Sequence, residues 1–252
     1  MRRPLIAGNW KMFKTVRESV SFVTDLRGRL RDVPDVDVVV APTALALHAV
    51  ATALQGDAIG VAAQNVHWER EGAFTGEMSA PMAREAGAQW VIIGHSERRT
   101  LFGETDDTVN RKVRAALVAT LIPIVCVGET LPERESGQTL QVLDRQIQAG
   151  LDGVTGAELG TAVVAYEPVW AIGTGVTATP AQAQDAHAHI RLRLTQWFGV
   201  EAASRCRVLY GGSVKPENAA ALMALPDVDG ALVGGASLET AAFKKIVESA
   251  RR

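Results

Sequence analysis

The chain has 252 residues, of which 47% are hydrophobic and 21% are charged, and its 26 basic and 28 acidic residues leave a formal net charge of −2. This composition is typical of a folded globular protein and excludes a disordered or collagen-like chain. The near-neutral charge provides no general attraction for nucleic acid or for an anionic membrane, so we expect neither as a partner. Any anion that the protein binds must therefore be held by a local site.

Short apolar runs rich in Val, Ile, Leu and Ala recur along the whole chain and predict strands. In chain order they are Leu5–Trp10, Asp37–Ala41, Ile59–Gln64, Trp90–Ile93, Ile122–Val127, Ala162–Glu167, Arg207–Tyr210 and Gly230–Val233. The runs are nearly continuous in apolar residues rather than alternating with polar ones. Such runs indicate strands buried on both faces, as in a parallel sheet.

Segments with helical periodicity separate the predicted strands. In the first of them, an apolar stripe consists of Val16, Val20, Val23, Leu26 and Leu30. Later, Thr179-Pro180-Ala181-Gln182 has the residues of a helix N-terminus with a capping box. Eight strand–helix units in about 250 residues predict an α/β fold, a single-domain (β/α)8 TIM barrel over residues 1–252. Periodicity alone does not show closure, so an open doubly wound sheet remains an alternative.

The cysteines and the N-terminus bear on the compartment. Cys126 and Cys206 lie 80 residues apart without a Cys-x-x-Cys pair, which argues against a disulfide framework and suits a reducing cytosol. No apolar signal-peptide core precedes Asn9, so we expect a cytoplasmic protein. The uncharged segment Val38–Gly56 approaches membrane-span length, but Pro42 interrupts it and a strand, a turn and a helix are the better interpretation.

Functional side chains are expected where the predicted strands end, because the active site of a (β/α)8 barrel lies at the carboxyl ends of its strands. Strand one ends at Asn9 and Lys11, strand four leads into His95, and strand six ends at Glu167. Strands seven and eight instead lead into the glycine pairs Gly211-Gly212 and Gly234-Gly235. Small residues there let backbone N–H groups approach an anion. The pattern predicts a base, a histidine, a lysine and a phosphate pocket on one face.

Each of these residues alone has a plainer interpretation. A lone histidine is more often structural than catalytic, a glutamate before a proline can be a turn residue, and Lys11 can simply neutralise Glu97. Glycine pairs are usually tight turns. The segment Gly173–Ala178 matches a dinucleotide-binding fingerprint, but it does not follow its strand directly, and we interpret the match as accidental. It is the convergence of the strand-end residues that favours a catalytic site.

Several multi-residue blocks, in order, resemble the triosephosphate isomerase family, and the similarity extends from about Ile6 to the last helix. The blocks are Gly8-Asn9-Trp10-Lys11-Met12, Ile93-Gly94-His95-Ser96-Glu97-Arg98-Arg99, Ala165-Tyr166-Glu167-Pro168-Val169-Trp170-Ala171-Ile172-Gly173-Thr174-Gly175, Tyr210-Gly211-Gly212-Ser213-Val214 and Gly230-Ala231-Leu232-Val233-Gly234-Gly235. The resemblance implies the interconversion of dihydroxyacetone phosphate and glyceraldehyde 3-phosphate by proton transfer. It implies neither a cofactor nor a metal.

The resemblance also assigns roles to individual residues. It implies that Glu167 is the base and that His95 is a neutral electrophile, which the helix start after it would favour. Lys11 and Asn9 match residues that hold the substrate and stabilise developing negative charge. The other implied positions are the phosphate ligands Gly173, Ser213, Gly234 and Gly235 and the lid Val169–Val176. From the residues themselves we interpret Glu97 as a partner that orients Lys11, and Cys126 as a small buried residue beside the site rather than a nucleophile.

The loop Gln64–Glu77 resembles the family's dimer loop, which inserts beside the site of a second subunit. The resemblance implies a homodimer in which Thr75 approaches the neighbour's Asn9 and Lys11. A 14-residue loop in a compact barrel otherwise needs an explanation. Two residues depart from the family pattern: Val176 stands where the lid hinge more often has lysine, and His67 replaces a more usual aromatic residue.

Two alternative functions are weaker. Another barrel enzyme acting on a phosphorylated sugar, such as an aldolase, would need a Schiff-base lysine or a metal. No lysine lies within the last four predicted strands, and no metal-binding cluster of residues is evident. An inert phosphate-binding or scaffold protein would not need Lys11, His95 and Glu167 together.

Overall fold

The computed structural model describes residues 2–173 and 177–251, and their strands form a closed parallel barrel in the order β1 to β8. The strands are β1 (Leu5–Asn9), β2 (Asp37–Ala41), β3 (Ile59–Ala63), β4 (Trp90–Ile93), β5 (Ile122–Val127), β6 (Val163–Tyr166), β7 (Arg207–Tyr210) and β8 (Gly230–Val233). The predicted (β/α)8 architecture is confirmed, and the pairing of β1 with β8 excludes the open sheet. Trp10, Gln64 and Glu167, placed inside strands by the sequence prediction, instead begin the loops that follow.

Helices surround the barrel and connect successive strands. They are α1 (Val16–Arg29), α2 (Ala44–Ala53), α3 (Ala80–Glu85), α4 (Ser96–Phe102), α5 (Asp106–Val118), α6 (Leu131–Glu135), α7 (Thr139–Gly150), α8 (Gly156–Leu159), α9 (Pro180–Phe198), α10 (Val200–Arg205), α11 (Pro216–Met223) and α12 (Thr240–Ser249). Short 3-10 turns at Val169–Ala171 and Gly235–Leu238 follow β6 and β8.

The two faces of each strand are buried in different layers. In β1, Leu5 and Ala7 point into the barrel interior, where they pack with Ile92 and Ile124 from other strands. Ile6 belongs instead to the larger layer between the barrel and the helices. This double burial explains why the strand sequences are continuously apolar rather than alternating.

Local sequence signals place the helix starts well, whereas the apolar stripe of α1 departs from the prediction. The predicted capping box is present at α9, where the Thr179 hydroxyl accepts from the Gln182 N–H and the Gln182 side chain accepts from the Thr179 N–H. In α1, however, Val16 is 43% exposed, and the buried residues include Ser19 and Phe22. Val23, Leu26 and Leu30 of the predicted stripe are buried, so the packing face overlaps the prediction but does not include Val16.

The uncharged segment around Pro42 forms the predicted strand, turn and helix, with β2 before the proline and α2 after it. None of the helices in the described ranges, 2–173 and 177–251, is long and apolar enough to cross a membrane.

His187, on α9, is fully buried beside the rings of Tyr166 and Tyr210. Its Nδ1 lies 3.2 Å from the Asp227 carbonyl oxygen, which requires a proton on that nitrogen for a hydrogen bond. Burial lowers the pKa of His187 from 6.5 to about 4. The imidazole is therefore neutral in the folded protein at any pH at which the barrel is expected to work.

We expect His187 to make the protein less stable as the pH falls. Between its unfolded pKa of 6.5 and its folded pKa of about 4, the unfolded chain binds a proton that the folded chain does not. Lowering the pH from about 7 to about 5 should cost about 2 kcal/mol of unfolding free energy through this residue. Urea titrations of the wild type and of His187→Asn at both pH values measure the effect. Equal pH dependence in the two proteins would contradict this assignment.

Candidate active site

Glu167 lies directly after β6, in the bottom of a cavity at the carboxyl ends of the strands. Its side chain is 2% exposed, and its backbone N–H donates to the Val127 carbonyl at 2.7 Å. Oε1 lies 2.9 Å from Nε2 of His95, and Oε2 accepts from the Ser96 N–H at 2.8 Å. The carboxylate is thus held at both oxygens by groups that follow β4.

The electrostatic surroundings keep Glu167 ionised. Burial raises the pKa of the Glu167 carboxyl. His95 and the Ser96 N–H act in the opposite direction, and the resulting pKa lies below its ordinary value. A buried carboxylate that remains charged is a competent proton acceptor. Ser96, which helps to hold it, was not singled out from the sequence because it acts through its backbone.

His95 is the N-cap residue of α4, and its two ring nitrogens face different partners. Nδ1 accepts from the Glu97 N–H at 3.3 Å, so the neutral ring carries its proton on Nε2, toward Glu167. Burial lowers the pKa of His95, but the adjacent Glu167 carboxylate and, less strongly, Glu97 raise it, and the resulting pKa lies above its ordinary value. At Nδ1, the donor at the start of α4 therefore favours the neutral ring. On the other side, the glutamate favours the imidazolium while it stays in contact.

Lys11 has a left-handed backbone with φ of +51°, which is uncommon for a residue with a side chain. Two side chains hold it there: Asn9 Oδ1 accepts from the Lys11 N–H at 3.0 Å, and Gln64 Nε2 donates to the Lys11 carbonyl at 2.8 Å. The Lys11 ammonium lies 2.6 Å from Glu97 Oε1. The sequence predicts Gln64 only as the end of a strand and the start of a loop, yet its side chain shapes the backbone of Lys11.

These residues share one cavity of about 220 Å3. All eight positions predicted for chemistry and substrate binding line it: Asn9, Lys11, His95, Glu167, Gly173, Ser213, Gly234 and Gly235. The remaining lining residues are Ile172, Gly211, Gly212, Val214, Lys215, Leu232 and Ala236. Residues from strand ends one, four, six, seven and eight are therefore brought together, as the barrel topology predicts.

The absence of a side chain has different effects at the two glycine pairs, Gly211-Gly212 and Gly234-Gly235. A Cβ at Gly211 would lie 2.8 Å from Cγ of Glu167, and one at Gly212 would lie 2.3 Å from the hydroxyl of Tyr210. The space at Gly235 is open, and a Cβ at Gly234 would make only ordinary contact with Lys11. The first pair therefore leaves room for neighbouring side chains, whereas the second leaves room in the cavity itself.

The predicted lid Val169–Val176 begins as the 3-10 turn that follows Pro168. Glu129, fully buried, accepts from the Trp170 indole at 2.9 Å and from the Tyr166 hydroxyl at 3.1 Å, and pairs with Arg134 at 3.0 Å. Residues 174–176, including the predicted hinge position Val176, lie outside the described residues. Glu129 was missed in the sequence, although its place two residues after β5 satisfies the same strand-end rule as Glu167.

The other predicted positions lie around the cavity. Cys126 is fully buried in the barrel interior, where burial and the neighbouring Glu167 carboxylate raise the pKa of its thiol. Thr75 is exposed in the Gln64–Glu77 loop. His67 packs between the rings of Trp68 and Phe74, with ring centroids 4.1 and 4.2 Å away. Within the described residues, no group of three or more His, Cys, Asp or Glu side chains is placed to hold a metal ion.

Comparisons with known proteins agree with this geometry. A family model described as triosephosphate isomerase matches residues 4–250. The triosephosphate isomerase of Citrifermentans bemidjiense is 56% identical over 247 residues, covering 98% of each chain, and that of Carboxydothermus hydrogenoformans is 54% identical over 248 residues, covering 98% of this chain and 99% of the relative. The crystal structure of triosephosphate isomerase from Bartonella henselae superposes with a TM-score of 0.90 at 42% identity, covering 99% of this chain and 100% of that one. This chain belongs to the triosephosphate isomerase family.

Proposed function

We propose that Glu167, His95 and Lys11 carry out the isomerisation for which the family is named. The enzyme is an aldose–ketose isomerase that interconverts dihydroxyacetone phosphate and D-glyceraldehyde 3-phosphate through an enediolate. The observation that carries the residue assignment is the convergence, in one small cavity, of a buried ionised carboxylate, an imidazole N–H and an ammonium group. Residues 1–252 act as a single barrel domain in this proposal.

The chemistry divides between removing a proton and stabilising the charge that results. The Glu167 carboxylate takes a proton from the carbon next to the carbonyl, and the electron pair moves onto the carbonyl oxygen. A base alone would be inadequate, because the oxyanion needs a donor at the same time. His95 Nε2–H and the Lys11 ammonium supply that stabilisation. The proton then returns to the neighbouring carbon, and His95 moves protons between the two oxygens.

In this structure the proposed base and electrophile are bonded to each other, with Glu167 Oε1 2.9 Å from His95 Nε2. Substrate must therefore replace this contact, which turns Glu167 toward the carbon and frees His95 Nε2–H for the oxygens. Once the carboxylate has left, the largest influence that raises the pKa of His95 is gone, and only the weaker effect of Glu97 remains. The Glu97 N–H at Nδ1 then favours the neutral ring.

Phosphate capture is local, since the net charge of −2 provides no general attraction. Gly173, Ser213, Gly234 and Gly235 line the same cavity as Glu167 and supply backbone donors to the phosphate in this proposal, with Lys11 as the cation. The lid Val169–Val176 closes over the intermediate and excludes water.

Turnover of dihydroxyacetone phosphate, coupled to a dehydrogenase that consumes glyceraldehyde 3-phosphate, tests the function directly. We expect rapid turnover of dihydroxyacetone phosphate and very little of dihydroxyacetone, which has no phosphate to bind. In deuterated water the product should carry deuterium at the carbon next to the carbonyl, because the base exchanges its proton with solvent. Failure of the purified protein to convert dihydroxyacetone phosphate would refute the proposed function.

The active form in this proposal is a cytoplasmic homodimer. Large apolar side chains in the segments that follow β1, β2, β3 and β4 are exposed, a pattern that marks interaction surfaces. They include Met12 (93%), Phe13 (55%), Leu45 (89%), Phe74 (42%) and Phe102 (67%). A second hollow of about 380 Å3 adjoins Asn9, Lys11 and Glu97, and the Gln64–Glu77 loop of a second copy would fill it. Two free, buried cysteines suit a reducing cytoplasm.

Thr75→Arg should convert the dimer into a weakly active monomer, because a buried, unpaired guanidinium in the hollow would be costly. Sedimentation at assay concentration and the coupled assay measure the two effects. Leu192→Arg is the matched control, since Leu192 is 52% exposed on α9 and its substitution should change neither the sedimentation nor the rate. A wild type that sediments as a fully active monomer, or an unchanged Thr75→Arg dimer, would exclude the proposed assembly.

A further inference from the structure

We propose that Gln146, on α7, is a positioning residue for the base Glu167. It does not line the cavity, and it would act through the backbone of Gly128. The inference deepens the proposed function and rests on the assignment of Glu167 as the base. Its structural basis is a chain of three close contacts: Gln146 to Gly128, Gly128 to Glu167, and the next residue, Glu129, to the lid.

Gln146 binds both polar groups of Gly128 with its side-chain amide. Its Oε1 accepts from the Gly128 N–H at 2.7 Å, and its Nε2 donates to the Gly128 carbonyl at 3.2 Å. The residue is only 6% exposed, so water cannot readily replace these bonds. A two-point contact of this kind restrains the orientation of both peptide units that flank Gly128.

Gly128 in turn supports the backbone of Glu167. A Cβ at Gly128 would lie 1.7 Å from the Glu167 carbonyl oxygen and 2.5 Å from its carbonyl carbon. The preceding residue, Val127, accepts the Glu167 N–H at 2.7 Å. The backbone of the base therefore rests on the segment Val127–Gly128, and a rotation of that segment would move Glu167.

The next residue, Glu129, extends the same support to the lid. Its carbonyl accepts from the Val169 N–H at 3.1 Å, and its buried carboxylate accepts from the Trp170 indole at 2.9 Å. One amide side chain thus restrains a tripeptide, Val127–Glu129, that contacts both the base and the start of the lid. Placement errors of about 1 Å can cost about a hundredfold in rate even when they arise far from the reacting atoms.

Gln146→Met keeps the length and burial of the side chain while removing both hydrogen bonds. We expect kcat for dihydroxyacetone phosphate to fall by about tenfold or more, with KM changed by less than about threefold, because the phosphate ligands Ser213, Gly234 and Gly235 lie on the loops after β7 and β8. Gln146→Glu retains the acceptor for the Gly128 N–H and, when protonated, a donor for the Gly128 carbonyl. Its kcat should therefore exceed that of Gln146→Met, most clearly at low pH.

Gln184→Met is the matched control. Gln184 contacts a loop in the same two-point manner: it donates to Asp227 Oδ2 at 2.7 Å and accepts from the Asp227 N–H at 3.3 Å. That loop precedes β8 and does not contact Glu167. We expect this variant to lose stability comparably to Gln146→Met while keeping the wild-type kcat.

A double-mutant cycle with Glu167→Asp separates positioning from a general loss of structure. If Gln146 acts by placing the carboxylate, its replacement should cost much less in an enzyme whose base is already displaced. Wild-type kcat in both Gln146 variants, or equal losses in the two backgrounds, would overturn the proposal. If the Gln146 variants gave either of these results while the wild type was active and Glu167→Gln was inactive, only the Gln146 proposal would fail. Failure of the proposed function would instead appear as an inactive wild type or an active Glu167→Gln.

Discussion

Glu167→Gln should reduce kcat for dihydroxyacetone phosphate by about a thousandfold or more, with a KM close to that of the wild type. The amide has the shape of the carboxylate but cannot accept the proton from carbon. The phosphate ligands are unchanged, so ground-state binding should survive. The coupled isomerase assay measures both constants, and loss of deuterium exchange at the substrate carbon should accompany the loss of rate.

The same substitution removes the charge that raises the pKa of His95. Proton NMR titration of the imidazole should therefore show a lower pKa in Glu167→Gln than in the ligand-free wild type. Glu167→Asp is the control that keeps the carboxylate but shortens its reach, and an intermediate rate is expected from it. Full activity of Glu167→Gln would refute the assignment of the base.

Lys11→Met is expected to have a comparably large effect, lowering kcat/KM by about a thousandfold or more. The thioether matches the length of the lysine stem but supplies no charge to the phosphate or to the oxyanion. The net charge of −2 provides no general attraction for the phosphate that would compensate for the loss. Unlike Glu167→Gln, this variant should show a raised KM as well as a lowered kcat.

Lys14→Met provides a close control for that experiment. Lys14 has a left-handed φ of +71° like Lys11, but its ammonium donates to the Leu238 carbonyl at 2.9 Å and lies over the ring of Phe22. Its removal should leave the kinetic constants near those of the wild type. If both lysine variants were impaired equally, the effect of Lys11 would be conformational rather than electrostatic.

The barrel itself was readable from the sequence because its strands are buried on both faces. Five of the predicted strands have the observed bounds, whereas β1, β3 and β6 are shorter than their apolar runs. Trp10 continues the apolar composition of β1 but belongs to the outer layer, beneath α1, where its ring packs against Phe22. Apolar composition indicates that a residue is buried, but it does not indicate where the hydrogen bonding between neighbouring strands ends.

The side chains that line the cavity were also accessible from sequence, since each follows a strand end. The residues that hold these side chains in place were harder to predict from the sequence. Ser96 follows β4 but acts through its backbone N–H, which every residue type except proline has, and Gln146 acts from a helix that lies outside the barrel. Contacts of this kind depend on how loops pack in three dimensions, which spacing along the chain does not encode.

The left-handed backbone of Lys11 sets stability against activity at one residue. A side chain held in this conformation costs on the order of 1 kcal/mol, which glycine would avoid. Directed evolution for heat resistance alone would therefore favour replacing Lys11, and the more stable variants that it selects would be poor isomerases. Mutant libraries intended to stabilise this enzyme should keep the codon for residue 11 constant and vary other positions of the barrel.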